Sequence, residues 1–468
     1  AAAVGAGGGG EGEEGEEGEE GEEGEEGEEG EPDEEGEPDE EGEPDEATVH
    51  GVEALVVIQV ARGMADEGCV VEAENFLRAA IPDIETKLGA ANVWALAARK
   101  DLAKVLSVQG KFGEAEELLR EVLSTMEDIG SEDETTFAVK KSLSFVLIDR
   151  GKYAEAERLL RDFWRWKLAE CGDAHVETLD AAQNLATVLA ERGKYGEAER
   201  LLREAMNADR DQSDILTIEH NLAVVLKMKG EYMEAEALLR KVQTGRRDLL
   251  GDAHRNTLMT SMNLAGVLRD TGDLDEAKAL MSEVGGSQSA TLGATHVDTL
   301  ATWHNLALVL QGQDDLANAE SLTRKVVSLR TETLGESHPS TLSSMQNLGT
   351  VLLDQGKYSE AEELLRRLEP LHRRKFGDSH PDTHVLVNNL AFAIKGRGGD
   401  QEAVKLLTRA ADGVCETLGA AHPRSVVVEG NLNAFLRDSG IEEHPRKKPK
   451  ATPSDAVVSS AVGSYQGT

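Results

Sequence analysis

The sequence predicts an all-α fold, a superhelical solenoid of stacked helical hairpins. Three observations predict it. An alanine recurs at Ala73, Ala115, Ala156, Ala198, Ala235, Ala277, Ala319, Ala361 and Ala403, in steps of 42, 41, 42 and 37 and then 42 four times. A leucine recurs at Leu102, Leu143, Leu185, Leu222, Leu264, Leu306, Leu348, Leu390 and Leu432, with the same short step of 37. Glycines at 335, 356, 377, 398, 419 and 440 halve the units at intervals of 21. A fixed period of this length marks a repeat architecture.

Composition agrees. Aromatic residues make up 4% of the 468 positions, and the abundance of Ala, Leu and Glu suits helices. The formal net charge is -40. Residues 1–46 carry 24 Asp and Glu and no Lys or Arg, which leaves about -16 for the other 422 residues. The body is therefore mildly acidic, which argues against binding duplex DNA or RNA through clustered Lys and Arg. Cys69, Cys171 and Cys415 are far apart and form no CxxC pair. They read as thiols of a reducing compartment, without disulfides or zinc. No apolar run approaches the roughly 18 residues of a membrane span. The opening AAAVGAGGGG has no basic region followed by a long apolar stretch, so it is not read as a secretory signal. It also lacks an initiator Met, which leaves the native start open.

The elements follow in order. Residues 1–46 are Gly-Glu-Glu triplets and then Gly-Glu-Pro-Asp-Glu-Glu units, a self-repelling acidic tail expected to be disordered. The solenoid is expected over 47–440, with 47–88 a degenerate first repeat whose helix A lies within about 49–66 and whose helix B follows Gly68. In a full unit, Leu300, Trp303, Ala307 and Leu310 share one face of helix A. Tyr153, Ala156 and Leu160 do the same on helix B, with Leu159 widening the stripe. Neither helix can bury its stripe alone, so units must stack. Nine pairs are counted, and a lone helix over about 425–438 caps them. Glycines after helices are expected in the left-handed conformation. Residues 441–468 form a second tail, expected to be disordered, whose Arg446, Lys447, Lys448 and Lys450 resemble a short nuclear import signal. The expected compartment is the cytoplasm, with the nucleus as the alternative. Three irregularities stand out. The 37-residue step is expected to shorten the link near 207–215 and change the superhelical pitch there. Gly285-Gly286 is expected to cut one helix B short, and Pro370 to kink or end another.

The clearest unit, GESHPSTLSSMQNLGTVLLDQGKYSEAEELLRRLEPLHRRK from Gly335 to Lys375, resembles the 42-residue tetratricopeptide repeats of kinesin light chains and nephrocystin-like proteins. Its His-Pro start, Asn-Leu pair, Gly-Lys-Tyr and Glu-Ala-Glu keep their mutual spacing across about 70–440, and weakly over 47–69. The resemblance implies a right-handed superhelix with helices A on the concave face, where partners dock as extended peptides. It implies a scaffold or adaptor for partner proteins. The alternative is a regulatory subunit of a larger, nuclear complex, with the acidic tail as an electrostatic regulator. No apolar heptads precede the repeats, which argues against a kinesin heavy chain as partner. Neither nucleic acid nor membrane is an expected partner.

Candidate chemistry is sparse. His175, His254, His296, His338, His380 and His422 recur with the period. A whole repeat separates successive imidazoles, so they read as entrances to helix A and not as a metal array. His380 and His384 lack a third ligand nearby. No phosphate loop, zinc-protease helix or nucleophile elbow occurs, so no catalytic residue, metal or cofactor is expected. Glu360 and Glu362 read as a solvated face, with i,i+4 pairs to residues such as Arg366.

The resemblance places peptide-contacting amides at Asn184, Asn221, Asn263, Asn305, Asn347, Asn389 and Asn431. An amide can donate and accept at once, which suits gripping a peptide backbone; it can equally bond to the neighbouring repeat. Asp101 and Ser142 replace it in the first full repeats. Lys100, Lys104 and Lys141 map to groove-facing positions there and suggest a basic pocket for acidic groups. The acidic tail, which has no apolar anchor, is a weak candidate competitor for that pocket. Ala198→Leu should overpack the contact between helices A and B and cost about 1–3 kcal/mol; thermal unfolding indistinguishable from wild type would refute that placement.

Overall fold

The repeats fold as paired helices because each carries one apolar stripe that only a neighbour can cover. The computed structural model describes residues 46–67, 69–130, 133–208 and 210–440. The chain divides into two units, Ala1–Asp45 and Glu46–Thr468, and every described helix belongs to the second. Helices A and B alternate through nine pairs: α1 (Glu46–Asp66) with α2 (Val70–Leu88), α3 (Val93–Val108) with α4 (Phe112–Asp128), α5 (Glu134–Asp149) with α6 (Tyr153–Cys171), α7 (Val176–Glu191) with α8 (Tyr195–Ala205), α9 (Gln212–Lys229) with α10 (Tyr232–Leu250), α11 (Arg255–Thr271) with α12 (Leu274–Thr291), α13 (Val297–Gly312) with α14 (Leu316–Leu334), α15 (Pro339–Asp354) with α16 (Tyr358–Phe376), and α17 (Pro381–Gly396) with α18 (Asp400–Leu418). The lone α19 (Pro423–Ser439) follows as the cap. The expected tails and the basic cluster at 446–450 lie outside the described residues, except Glu46, which opens α1 instead of closing the tail.

Local chemistry sets the helix boundaries. His175, His254, His296, His338, His380 and His422 each sit at an N-cap, and each Nδ1 accepts the N–H two residues on at 3.1–3.2 Å. Asn92, Asp133 and Asp211 cap the other full repeats. Gly230, Gly272 and Gly440, which follow α9, α11 and α19, take the expected left-handed helical conformation, whereas Gly335 between α14 and α15 has φ 87° and ψ 159°. This is a glycine region distinct from the expected left-handed helical one.

All nine recurrent alanines have no exposed surface, and all nine recurrent leucines are buried. Successive A helices approach one another closely at most junctions, while no successive pair of B helices comes as near. The A helices therefore line the inside of the curve. Outside, ion pairs join the B helices. Glu116 takes Arg120 from its own helix and Lys152 and Arg150 from the next turn, at 2.6–2.9 Å. Arg120 also bonds Glu155 of the next B helix at 2.7 Å. The pattern recurs at Glu74, Glu157, Glu199, Glu320 and Glu362. Lys357 and Arg324 hold the Glu320 carboxyl down to about 2 against the effect of burial.

The superhelix returns on itself. Phe112 at the head of α4 stacks on Phe376 at the end of α16, with centroids 6.2 Å apart. Lys375 Nζ donates to the Gln109 carbonyl at 2.9 Å. One repeat further on, Gly151 has φ 69° and abuts His380 and Pro381, where a Cβ would come within 2.8 Å of the proline ring. In the next repeat Gly193 abuts His422. The first of these turns also abuts Pro339 through Gly110, so three successive A–B turns, at Gly110, Gly151 and Gly193, rest on three successive B–A links, at Pro339, His380 and His422, one superhelical turn away.

Three expectations need correction. The 37-residue step does not shorten the link: α8 has 11 residues where most B helices have 19, so the last turns of the helix are lost. Gly285-Gly286 does not cut α12, which runs on to Thr291. A Cβ on Gly285 would lie 2.7 Å from the Trp303 ring, so this glycine makes room for the indole. Pro370 does not end α16, which continues to Phe376. Leu368 and His372 on either side of it are buried, and this packing holds the last turns against the lost hydrogen bond. Pro82 is tolerated in α2 at the same register.

The two adjacent glycines should respond with opposite sign. Gly286 has open space where a Cβ would go, so Gly286→Ala should stabilise by about 0.5–1 kcal/mol. Gly285→Ala should destabilise, because overpacking of about 1–3 kcal/mol outweighs the gain in helix propensity. Equal shifts in thermal midpoint would contradict the indole contact.

Candidate peptide-binding groove

The concave face presents the A helices, and the seven asparagines lie along it. Three of them are tied to the preceding repeat. Asn221 Nδ2 donates to Gln183 Oε1 at 2.9 Å, Asn263 Nδ2 lies 2.9 Å from His220 Nε2, and Asn431 Nδ2 donates to Asn388 Oδ1 at 3.0 Å. Their outward capacity is the carbonyl oxygen and the second amide hydrogen. Asn389 Oδ1 accepts from its neighbour Asn388 at 3.1 Å. Asn305 is half-buried and makes no side-chain hydrogen bond among the described residues. Asn184 and Asn347 each hold a buried amide nitrogen without a partner.

The lysines behave unequally. Lys141 pairs with Asp180 of the next A helix and sits 5.5 Å from the Phe163 ring centre. Lys100 is half-buried and Lys104 exposed, and neither forms an ion pair among the described residues. Asp101, buried between them in sequence, is held by Arg62 at 2.6 Å.

A second polar row lies beneath the first and was not anticipated. Lys167, Arg246, Gln288, Arg330 and His372 occupy one register of helix B, and all are buried. Arg246 Nη1 donates to Thr260 Oγ1 at 2.9 Å and to the Asn256 carbonyl at 3.1 Å. Gln288 Oε1 accepts from Thr302 Oγ1 at 2.6 Å, and Arg330 Nη1 donates to Ser344 Oγ at 2.6 Å. At His372 the corresponding helix A residue is Leu386, and both imidazole nitrogens lack partners. The signal was available: from Arg246 to His372, polar residues are spaced by 42 on an otherwise apolar stripe.

Among the described residues one group has metal-ligand character, Cys171, His175 and Glu177. Its chemistry is unfavourable. His175 Nδ1 accepts a backbone N–H, which places the ring proton on the outer nitrogen, and Glu177 is held by Lys167 at 2.5 Å.

Two profiles of the tetratricopeptide repeat match the sequence, one over 135–211, 214–284 and 298–374 and the other over 96–129, together more than half of the chain. The chain belongs to the tetratricopeptide repeat family. Among solved structures, the nearly identical TPR-like repeats of a kinesin-light-chain-type protein of Podosopora anserina are similar at 28% identity, with a TM-score of 0.37, covering 42% of this chain and 95% of that one. A Rap protein complexed with competence and sporulation factor is similar at 13% identity, with a TM-score of 0.44, over 74% of this chain and 98% of that one. The apo quorum sensor NprR of B. thuringiensis is similar at 12% identity, with a TM-score of 0.42, over 78% and 88%. No curated protein matches.

Buried histidines give the solenoid an acid limit. Burial lowers His220, His304, His372 and His422 to about 4, and lowers His338, His380 and His384 as well. Folded values below the unfolded 6.5 mean that the native state binds fewer protons between about 4 and 6.5, so stability falls as pH drops through that window. Asp149 and Glu191, raised by desolvation, act in the opposite direction but are fewer. Lowering pH from 7.5 to 5.5 should cost on the order of 1 kcal/mol for each fully buried histidine; a thermal midpoint that holds or rises over that range would contradict this.

Proposed function

We propose that this tetratricopeptide repeat protein is an interaction scaffold that holds extended segments of partner proteins against its A helices. The observation that carries the reading is the asparagine row on the concave face. Three of its amides, Asn221, Asn263 and Asn431, are anchored to the preceding A helix, yet keep a carbonyl oxygen and an N–H for a bound backbone. Anchoring fixes the rotamers, so less conformational entropy is lost on binding. The spacing by repeat suits a chain that lies along several repeats and makes one modest contact at each. Lys100 and Lys104 add positive charge at the N-terminal end of this face. The same reading assigns the molecule binding and no catalysis: six of its histidines cap helices, and buried glutamates such as Glu116 and Glu157 join repeats.

Affinity capture with the full chain tests it. Wild type should retain a defined set of partners, and Asn305→Leu with Asn347→Leu should lose most of them while keeping its helical circular dichroism. Lys100→Glu with Lys104→Glu should lose the acidic subset. An identical partner set for all three proteins would sink the groove reading.

A further inference from the structure

The first of the three winding contacts encloses a cavity of about 370 Å³, lined by Lys111, Phe112 and Gly113 at the head of α4 and by Leu371, Arg374 and Lys375 near the end of α16. The Phe112–Phe376 stack and the bond from Lys375 Nζ to the Gln109 carbonyl at 2.9 Å hold its walls together. The approach is close: a Cβ on Gly110 would lie 2.7 Å from Lys375 Nζ. Three cations from two windings therefore face one space. Lys111 is neutralised by Glu74 at 2.7 Å. Arg374 and Lys375 pair with no carboxylate among the described residues. Glu114, the acid in the cavity lining, is taken up by Arg78 at 2.7 Å. Burial, and then the charge of Lys111, lower the Lys375 ammonium below its usual value.

The sequence marks the same spot. At this register α14 carries Glu332-Thr333 and α18 carries Glu416-Thr417, whereas α16, whose end meets α4, carries Arg374-Lys375. Packing does not require the exchange. Like charges gathered in a partly dry space repel, and a half-buried cation without a partner is costly. A bound anion reverses both effects. No side chain caps α4, so its first N–H groups are further donors beside Gly113. Other B helices, such as α14 and α18, begin uncapped too, so the cations are what set this place apart. We propose that Lys111, Arg374 and Lys375 form a phosphate-binding site between the two windings, which takes a phosphoryl dianion, free or on a partner's side chain, and ties α4 to α16. A guanidinium fork and two ammonium point charges suit its several oxygens. The formal net charge of -40 repels anions in general, so binding here draws on these local donors. The site does not rest on the groove reading.

Isothermal titration calorimetry on the full chain, in phosphate-free buffer at fixed ionic strength, tests it. The titrants are inorganic phosphate and an end-blocked Gly-Ala-phosphoserine-Ala-Gly peptide. Wild type should bind one or both with a dissociation constant below about 1 mM, and the tighter titrant names the source. Arg374→Glu with Lys375→Thr copies the pair found at 332–333 and 416–417, so it should keep its helical circular dichroism. It should bind about tenfold more weakly or not at all. Lys375→Met, which removes one charge and keeps the length of the side chain, should weaken binding as well. Arg200→Glu with Lys278→Thr makes the same change of charge at exposed positions on other helices and should bind as wild type does. Phosphate should also raise the thermal midpoint of wild type above its value in chloride. No saturable binding of either titrant would overturn the site. So would equal affinity in wild type and Arg374→Glu with Lys375→Thr, or an equal loss in Arg200→Glu with Lys278→Thr.

Discussion

Each helix B buries one alanine completely in its packing against helix A, and the rest of the solenoid depends on that contact. From Ala73 to Ala403 this residue has no exposed surface in any of the nine pairs. A methyl group lets the two backbones approach until the leucines of helix A reach the next pair. A larger residue would separate them and open voids along the stack, and interiors tolerate neither voids nor excess volume. Because each pair is closed the same way, small errors do not accumulate from one repeat to the next.

The buried contact is backed by charge on the outside. A glutamate next to the alanine, such as Glu116 or Glu157, collects a lysine from the following turn and an arginine from its own helix. Single exposed pairs contribute little, but these acids are buried and shared among several cations, which makes a network. The lysine of Gly-Lys-Tyr thus has a physical role that the motif alone does not reveal: Lys152 bonds Glu116 one repeat earlier.

Much of the fold was legible because it is periodic. Spacing alone located the alanines, the leucines, the capping histidines and the number of pairs. Local signals failed where a tertiary contact outweighed them. Gly285 reads as a helix breaker until Trp303 is seen beside it, and Pro370 reads as a stop until Leu368 and His372 are seen buried around it. The deletion near Ala205 reads as a shorter link because links usually absorb deletions, but the helix absorbs it. In the candidate site the asparagine row was legible, but its ties to Gln183, His220 and Asn388 were not, since a one-position offset between repeats has no signature in sequence. The meeting of Gly151 with His380 links residues 229 apart, and no local pattern encodes it.

That meeting has a mechanical meaning. Where Phe112, Gly151 and Gly193 rest on Phe376, His380 and His422, neighbouring windings of the superhelix already touch. A spring wound with its coils in contact can lengthen but cannot shorten. Pulling on the two ends meets only a few aromatic and polar contacts before the windings part, whereas pushing meets the hard cores of the side chains. Elastic response in this molecule is therefore one-sided.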